Sequence, residues 1–277
     1  MKKVVFRVKG GLGNQLFIYA FGKVLEKKYN YTVKFDLKTG FVINHYKHIE
    51  TNKSLLQFYF KDVSKITLLD QVFYQISRKT RSKKLFNIKY INKEVNNIDD
   101  FINELDDKKL SYYLEGYYQS SELISQVLPE IRSKININYF LDKEGLKLCD
   151  SIKNENSVAI QIRVNDYPVV HENNYLIEAL KYIENSISNV KYYLFSDNIK
   201  WCQENLRLPD NVEIINTGSD MKDFAVLVSC NNFILSVGTF GWWGAILSRN
   251  KNKVVIAPKK YKKFLNENFY PSEWKLI

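Results

Sequence analysis

Hydrophobic and polar positions along the chain alternate in blocks that read as strands and helices in turn. Val4–Val8 is a short, mainly apolar run of the kind a strand buried on both faces shows. From Leu16 onward, Leu16, Phe17, Ala20, Phe21, Val24 and Leu25 recur at helical spacing. Tyr31–Phe35 then alternates as a second strand and ends at Asp36. A strand, tight turn, helix and strand in this order predict a parallel sheet. The stretch from Gly40 to Lys109 is weakly patterned, with Leu55–Phe60 reading as a strand and Asp62–Arg81 as a helix with a basic end. Ser111–Gln119 reads as a strand running into a turn, and Ser121–Asp150 as helices punctuated by Pro129.

The polar run Lys153-Asn154-Glu155-Asn156-Ser157 reads as an interdomain linker. After it the alternation is regular. Strands are expected at Ser157–Arg163, Lys191–Phe195, Val212–Ile215, Phe233–Ser236 and Lys253–Ala257. Helices are expected between them at Tyr175–Ser188, Ile199–Leu206, Met221–Ser229 and Thr239–Ser248. This is the rhythm of a doubly wound, Rossmann-like domain. The chain is therefore read as α/β with two domains, residues 1–153 and 154–277, facing each other across a cleft that holds the active site.

Composition adds bounds. A length of 277 residues accommodates two domains, and 45% hydrophobic with 26% charged residues is ordinary for a globular protein. No run approaches the roughly 18 apolar residues of a membrane span. The opening Met1–Val8 is basic, like a signal peptide, but its apolar run is short and gives way to glycines. The expected compartment is the cytoplasm, with at most peripheral association at the inner membrane face. Cys149, Cys202 and Cys230 are far apart and odd in number, which suits buried thiols and fits neither a disulfide framework nor a zinc site. The net charge of +11 is spread along the chain, with short clusters at Arg78–Lys84 and Lys259–Lys263. No nucleic-acid motif accompanies it, so a nucleic-acid partner is not expected; a basic surface instead suits anionic substrates or an acidic membrane face.

Three turns carry candidate chemistry. In Gly10-Gly11-Leu12-Gly13-Asn14-Gln15, Gly11 and Gly13 permit close backbone approach, and the helix after them would present its N-terminus to a phosphate or carboxylate. The turn is half of a dinucleotide fingerprint with Asp36 beyond it, but Leu16 replaces the third glycine. A plain tight turn is the other reading. Arg163 follows an apolar strand, where it either grips a pyrophosphate in bidentate fashion or pairs with Asp166 on the surface. In Ser236-Val237-Gly238-Thr239-Phe240-Gly241-Trp242-Trp243, Thr239 is expected to cap a helix whose free N–H groups make a second anion site. One of the two tryptophans is expected in the core and the other beside the cleft. Ser196 and Asp197 end another strand and either line the nucleotide pocket or cap the next helix. His45, His48 and His171 have no metal-ligand spacing.

Together these segments resemble the α-1,2-fucosyltransferases of glycosyltransferase family 11. The matching pieces are Gly10–Phe17, Gly116-Tyr117-Tyr118-Gln119-Ser120, Arg163–Tyr167, Phe195–Asn198 with Trp201, Asp223–Cys230 and Ser236–Leu247. They occur in the family's order from one end of the chain to the other. The resemblance implies a GT-B fold, a GDP-fucose donor, no cofactor or metal, inversion at the anomeric carbon and a glycan acceptor, O-2 of a galactoside, free or lipid-linked. It implies that Arg163 holds the GDP β-phosphate, that Gly238, Thr239 and Phe240 bind its other oxygens, and that Asn14 lies near the reacting sugar. Two departures stand out. The family's usual His-x-Arg-Arg-Gly-Asp-Tyr reads Gln161-Ile162-Arg163-Val164-Asn165-Asp166-Tyr167 here, and the usual bacterial Ser-Asn-Ser-Ser-Phe-Ser-Trp-Trp reads Ser236-Val237-Gly238-Thr239-Phe240-Gly241-Trp242-Trp243, closer to the animal members. They keep open a different nucleotide-sugar donor, or a non-catalytic glycan- or nucleotide-binding relative. Asp166 is the nearest candidate for the general base, followed by Glu115 and His171.

Overall fold

The computed structural model describes residues 2–41, 53–80, 86–95, 97–107, 109–165, 173–259 and 268–277. The chain divides into two compact units, Met1–Asn136 and Ile137–Ile277.

In the first unit β1 (Lys3–Arg7), α1 (Leu12–Tyr29) and β2 (Thr32–Asp36) form the expected opening. They are followed by α2 (Leu56–Tyr59), α3 (Leu68–Thr80), β3 (Ile88–Asn92), α4 (Ile98–Glu104), β4 (Ser111–Glu115), α5 (Ser121–Ser125) and α6 (Leu128–Lys134). The four strands are parallel, in the order β2-β1-β4-β3, with Val4 between Val33 and Tyr112. Leu12–Leu25 of α1 are buried almost throughout, save Asn14, as in a helix covered on all sides. Phe6 of β1 meets the rings of Phe21, Phe35 and Tyr118 at 5.9, 5.9 and 5.4 Å.

Three expectations change here. Leu55–Phe60 is not a strand: Leu55, Leu56, Tyr59 and Phe60 are buried at helical spacing, with Gln57 exposed. The helix expected from Asp62 begins only at Leu68. Thr67 and Asp70 cap it reciprocally, Asp70 N–H donating to Thr67 Oγ1 at 3.1 Å and Thr67 N–H to the Asp70 carboxylate at 3.4 Å. The segment before it is extended and bridges Lys65 to Phe35 of β2. Strand β3 escaped the sequence reading because it lies at a sheet edge and buries only Ile88 and Ile91.

The second unit contains α7 (Lys143–Lys153), β5 (Asn156–Ile162), α8 (Asn173–Ser186), β6 (Val190–Ser196), α9 (Ile199–Asn205) and β7 (Val212–Ile214). It continues through α10 (Asp220–Ser229), β8 (Asn232–Leu235), α11 (Thr239–Leu247), β9 (Val255–Ala257) and β10 (Lys275–Leu276). All six strands are parallel in the order β10-β9-β8-β5-β6-β7. Counted from β5, this is the Rossmann strand order, with its reversal between β5 and β8. The units meet at Asn136–Ile137 rather than at 153/154 because α7 packs on α10 and buries Cys149 and Ile152. The polar run at 153–157 is the turn into β5, held by a Tyr193 hydroxyl that donates to Glu155 at 2.7 Å.

Candidate active site

In an open parallel sheet, ligands bind beyond the carboxyl ends of the strands where the strand order reverses. In the second unit that point lies between the ends of β5 and β8, where Arg163 and Ser236–Gly238 follow the two strands. The strand ends are locked together. Ser236 N–H donates to the Gln161 carbonyl at 2.8 Å, and Arg163 N–H donates to Ser236 Oγ at 2.8 Å.

Asp197, just beyond β6, organises the turn after β5. Its carboxylate accepts from Val164 N–H at 2.7 Å and Asn165 N–H at 3.2 Å, and it pairs with Arg163 Nε at 3.3 Å. The pairing leaves the Asp197 side chain 18% exposed. Asp197 is therefore not the helix cap; Asn198 is, accepting from Trp201 N–H at 3.1 Å. Ser196 Oγ accepts from Asn198 N–H at 3.1 Å and from the Cys202 thiol at 3.2 Å, which occupies it within this corner. Asp166, the sequence's candidate for both the partner of Arg163 and the base, lies outside the described residues, as does His171.

Helix α11 starts one residue earlier than a Thr239 cap requires. Gly238 occupies the N-cap at φ 148° and ψ 156°, a conformation nearly reserved for glycine, and no side chain caps the first turn. Thr239 is the first helical residue. Gly238, Thr239 and Phe240 are half-exposed, and the Phe240 ring packs edge-on against Phe224 of α10 at 5.1 Å. The first-turn N–H groups of a helix end without a side-chain cap suit an anion. Both Trp242 and Trp243 are buried, so neither flanks an open site. The Trp242 indole N–H donates to the Phe269 carbonyl at 2.7 Å. Gln161 lies beneath the helix start, 5% exposed. Its Oε1 accepts no hydrogen bond among the described residues and sits 2.5 Å from where a Cβ on Gly241 would be. One residue from each departure is thus a neighbour of the other: any side chain at 241 would strike the Gln161 amide.

The motif of the first unit divides into framework and presented groups. Gln15 is fully buried; it donates to the Gly10 carbonyl at 2.9 Å and accepts from Leu55 N–H at 2.8 Å, pinning the turn to the segment before α2. Gly10 has φ +76°, and a Cβ there would lie 2.9 Å from Asn14 Nδ2. Gly11 is the N-cap of α1, and Gly13 is its second residue, buried. Asn14 is half-buried, with its Oδ1 accepting from Gln119 Nε2 at 2.9 Å. This joins two motifs that are far apart in sequence.

Glu115 has a different role from that of a base. Its carboxylate accepts from Arg7 at 2.7 Å, Lys9 at 3.1 Å, Arg78 at 3.1 Å and the Tyr90 hydroxyl at 2.7 Å. Burial alone would raise its pKa, but Tyr90, Lys9 and Arg7 outweigh burial and hold it at about 2. A carboxylate so engaged does not take protons near neutrality. This cluster is not legible in the sequence, because its members are distant in the chain and meet only through the order of the strands.

Among the described residues no group of three or more His, Cys, Asp or Glu is placed to hold a metal ion, and no helix is long and apolar enough to cross a membrane. The three cysteines are free and buried.

The family described as Glyco_transf_11, glycosyl transferase family 11, matches residues 3–277. An alpha-1,2-colitosyltransferase of Escherichia coli is 27% identical over 93% of this chain and 92% of its own length. The O-antigen biosynthesis glycosyltransferase WbnK of Escherichia coli is 25% identical over 92% of this chain and 93% of its own. Among solved structures, the fucosyltransferase NodZ from Bradyrhizobium aligns with a TM-score of 0.54 at 14% identity, covering 89% of this chain and 92% of that one. That likeness carries the fold: two parallel α/β units of the GT-B type.

Proposed function

The chain belongs to glycosyl transferase family 11, and we propose that this glycosyltransferase moves L-fucose from GDP-fucose to a glycan hydroxyl, O-2 of a galactoside, with inversion and without a metal. The observation that carries this reading is the convergence of Arg163, Ser236 and the uncapped start of α11 at the strand-order reversal of the second unit. Departure of GDP develops negative charge on the β-phosphate. A guanidinium oriented by Asp197 and the N–H groups of Thr239 and Phe240 can stabilise that charge without a cation. A NodZ α-1,6-fucosyltransferase co-crystallised with GDP has the same fold, which supports a GDP-linked donor.

In this proposal Gly238, Thr239, Phe240, Ser196 and Asp197 form or support the donor site, with Gly11, Gly13 and Asn14 of the first unit acting on the sugar or the acceptor. Asp166 takes the proton from the acceptor hydroxyl. The acceptor is a surface oligosaccharide or polysaccharide, and the reaction takes place in the cytoplasm. The first unit, Met1–Asn136, serves the acceptor and the second, Ile137–Ile277, the donor. A second reading keeps the site and changes the sugar to another deoxyhexose, favoured by the colitosyltransferase that matches nearly the whole chain.

The test is GDP release from a panel of GDP-, UDP- and TDP-sugars in the presence of EDTA. GDP-fucose turnover that survives EDTA and is abolished by Arg163→Ala is the expected result. Preference for a different GDP-deoxysugar selects the second reading. If GDP neither binds nor raises the melting temperature, the proposal fails. Asn14→Ala should change GDP affinity far less than turnover.

A further inference from the structure

Helix α3 buries Tyr74 against Val5, Ile66, Ile88 and Tyr113, yet most of its apolar residues face outward. Its exposed face carries Leu68, Leu69, Val72 and Phe73, with Leu68 66%, Leu69 72% and Val72 56% exposed. Phe86, beyond the helix, adds its ring at 4.4 Å from Phe73 and is itself exposed. Polar residues of the same helix point into the protein. Gln75 Nε2 donates to Thr39 Oγ1 at 2.7 Å and to the Tyr113 hydroxyl at 2.8 Å. Ser77 Oγ donates to the Ile88 carbonyl at 3.1 Å, and Arg78 pairs with Glu115. These bonds and the Thr67–Asp70 cap fix the rotation of the helix, so the apolar stripe faces outward because the polar side is anchored. Single exposed leucines are unremarkable; a contiguous apolar ridge on a helix that turns its polar side inward marks a docking face.

The charge beside the ridge says what covers it. Lys79 is exposed and falls on the same side of the helix as Leu68 and Val72. The sequence has no acidic residue between Asp70 and Glu94, while Lys79, Arg81, Lys83 and Lys84 follow the ridge and Arg78 is engaged inward by Glu115. Asp70 itself is engaged in the helix cap. An apolar helical face flanked by cations, without acidic residues on that face among the described positions, has the composition of a helix lying in the interface of an anionic bilayer. Phosphatidylglycerol and similar headgroups supply the countercharge; the acyl boundary receives the leucines.

We propose that α3 docks this enzyme on an anionic phospholipid surface, with Leu68, Leu69, Val72 and Phe73 inserted among the acyl chains and Lys79 at the headgroups.

Flotation of the full chain with phosphatidylcholine vesicles, with and without about one part in three phosphatidylglycerol, tests it. The expected result is co-flotation with the anionic vesicles, weakened by salt. Leu69→Gln/Val72→Gln should cut binding at least tenfold, and Lys79→Gln about fivefold, the worth of one basic residue near such a surface. Both changes lie on exposed positions, and unaltered circular dichroism verifies the fold. Failure of the unaltered chain to float, or flotation of the double variant to the same extent, overturns the proposal. So does a dimer in sedimentation equilibrium that the double variant dissolves without any vesicle binding, because the face would then be covered by a second copy.

Discussion

Replacing Glu115 by Gln removes one charge from a cluster that holds three cations, and the structure sets the cost. Arg7 is 9% exposed, so the loss leaves a buried guanidinium without its counter-ion. Breaking a buried pair from one side typically costs about 3–5 kcal/mol. A second route gives a similar figure. The carboxyl titrates at about 2 instead of its ordinary 4.5, and that displacement is worth about 3 kcal/mol of stability at neutral pH. Because the folded value is the lower one, the contribution is fully present above pH 4.5 and is lost as pH falls towards 2. The difference between the unaltered chain and Glu115→Gln should therefore be about 3 kcal/mol at pH 7 and shrink steadily below pH 4.5. All four tryptophans, Trp201, Trp242, Trp243 and Trp274, lie in the second unit, so indole fluorescence is blind to this site. Peptide-level hydrogen exchange reads it directly: amides of β1 and β4 should exchange about 100-fold faster in the variant at pH 7, with β5 and β6 unchanged. Urea unfolding followed by far-ultraviolet circular dichroism at several pH values supplies the second axis. A destabilisation that is the same at pH 3 as at pH 7, or below about 1 kcal/mol at pH 7, would refute the reasoning.

Two glycines near α11 give further predictions. Gly238→Ala has open space around the new methyl, so its cost is backbone strain alone, about 1–3 kcal/mol, and thermal unfolding should show it together with weaker GDP binding. Gly241→Ala places a methyl 2.5 Å from Gln161 Oε1 and 3.0 Å from Leu235 Cδ2, costing about 1–3 kcal/mol. Adding Gln161→Ala to it should restore most of that loss in a double-mutant cycle; additive losses would mean that the Gln161 contact is irrelevant.

The second unit was readable almost element by element because its strands are buried on both faces and its helices follow at regular intervals. The burial of all of Val158–Ile162 is the physical counterpart of the apolar run in the sequence. The middle of the first unit was not readable, for reasons that differ from place to place. Leu55–Phe60 is too short for a period of two to be told from one of 3.6. Residues 62–67 carry no helix because Thr67 and Asp70 fix where it starts, a signal present in the sequence but overshadowed by the charged residues before it. Candidate site residues near strand ends were found because strand ends can be located. Their partners were not: Asp197 rather than Asp166 meets Arg163 among the described residues, and that pairing depends on β5 lying beside β6. Glu115 was placed on its strand, yet nothing local in sequence announced that Arg7, Lys9 and Arg78 would surround it.

The outward ridge of α3 also governs how this protein behaves as a colloid. At low ionic strength the net charge of +11 keeps molecules apart at distances beyond the reach of apolar contact. Added salt shortens that reach to about 10 Å at 0.1 M while leaving the attraction between exposed Leu69 and Val72 faces intact. Salt, the usual remedy for basic proteins that adhere to everything, then works against this one: solubility should fall as ionic strength rises, and the concentration at which turbidity appears should rise again once Leu69 and Val72 are made polar.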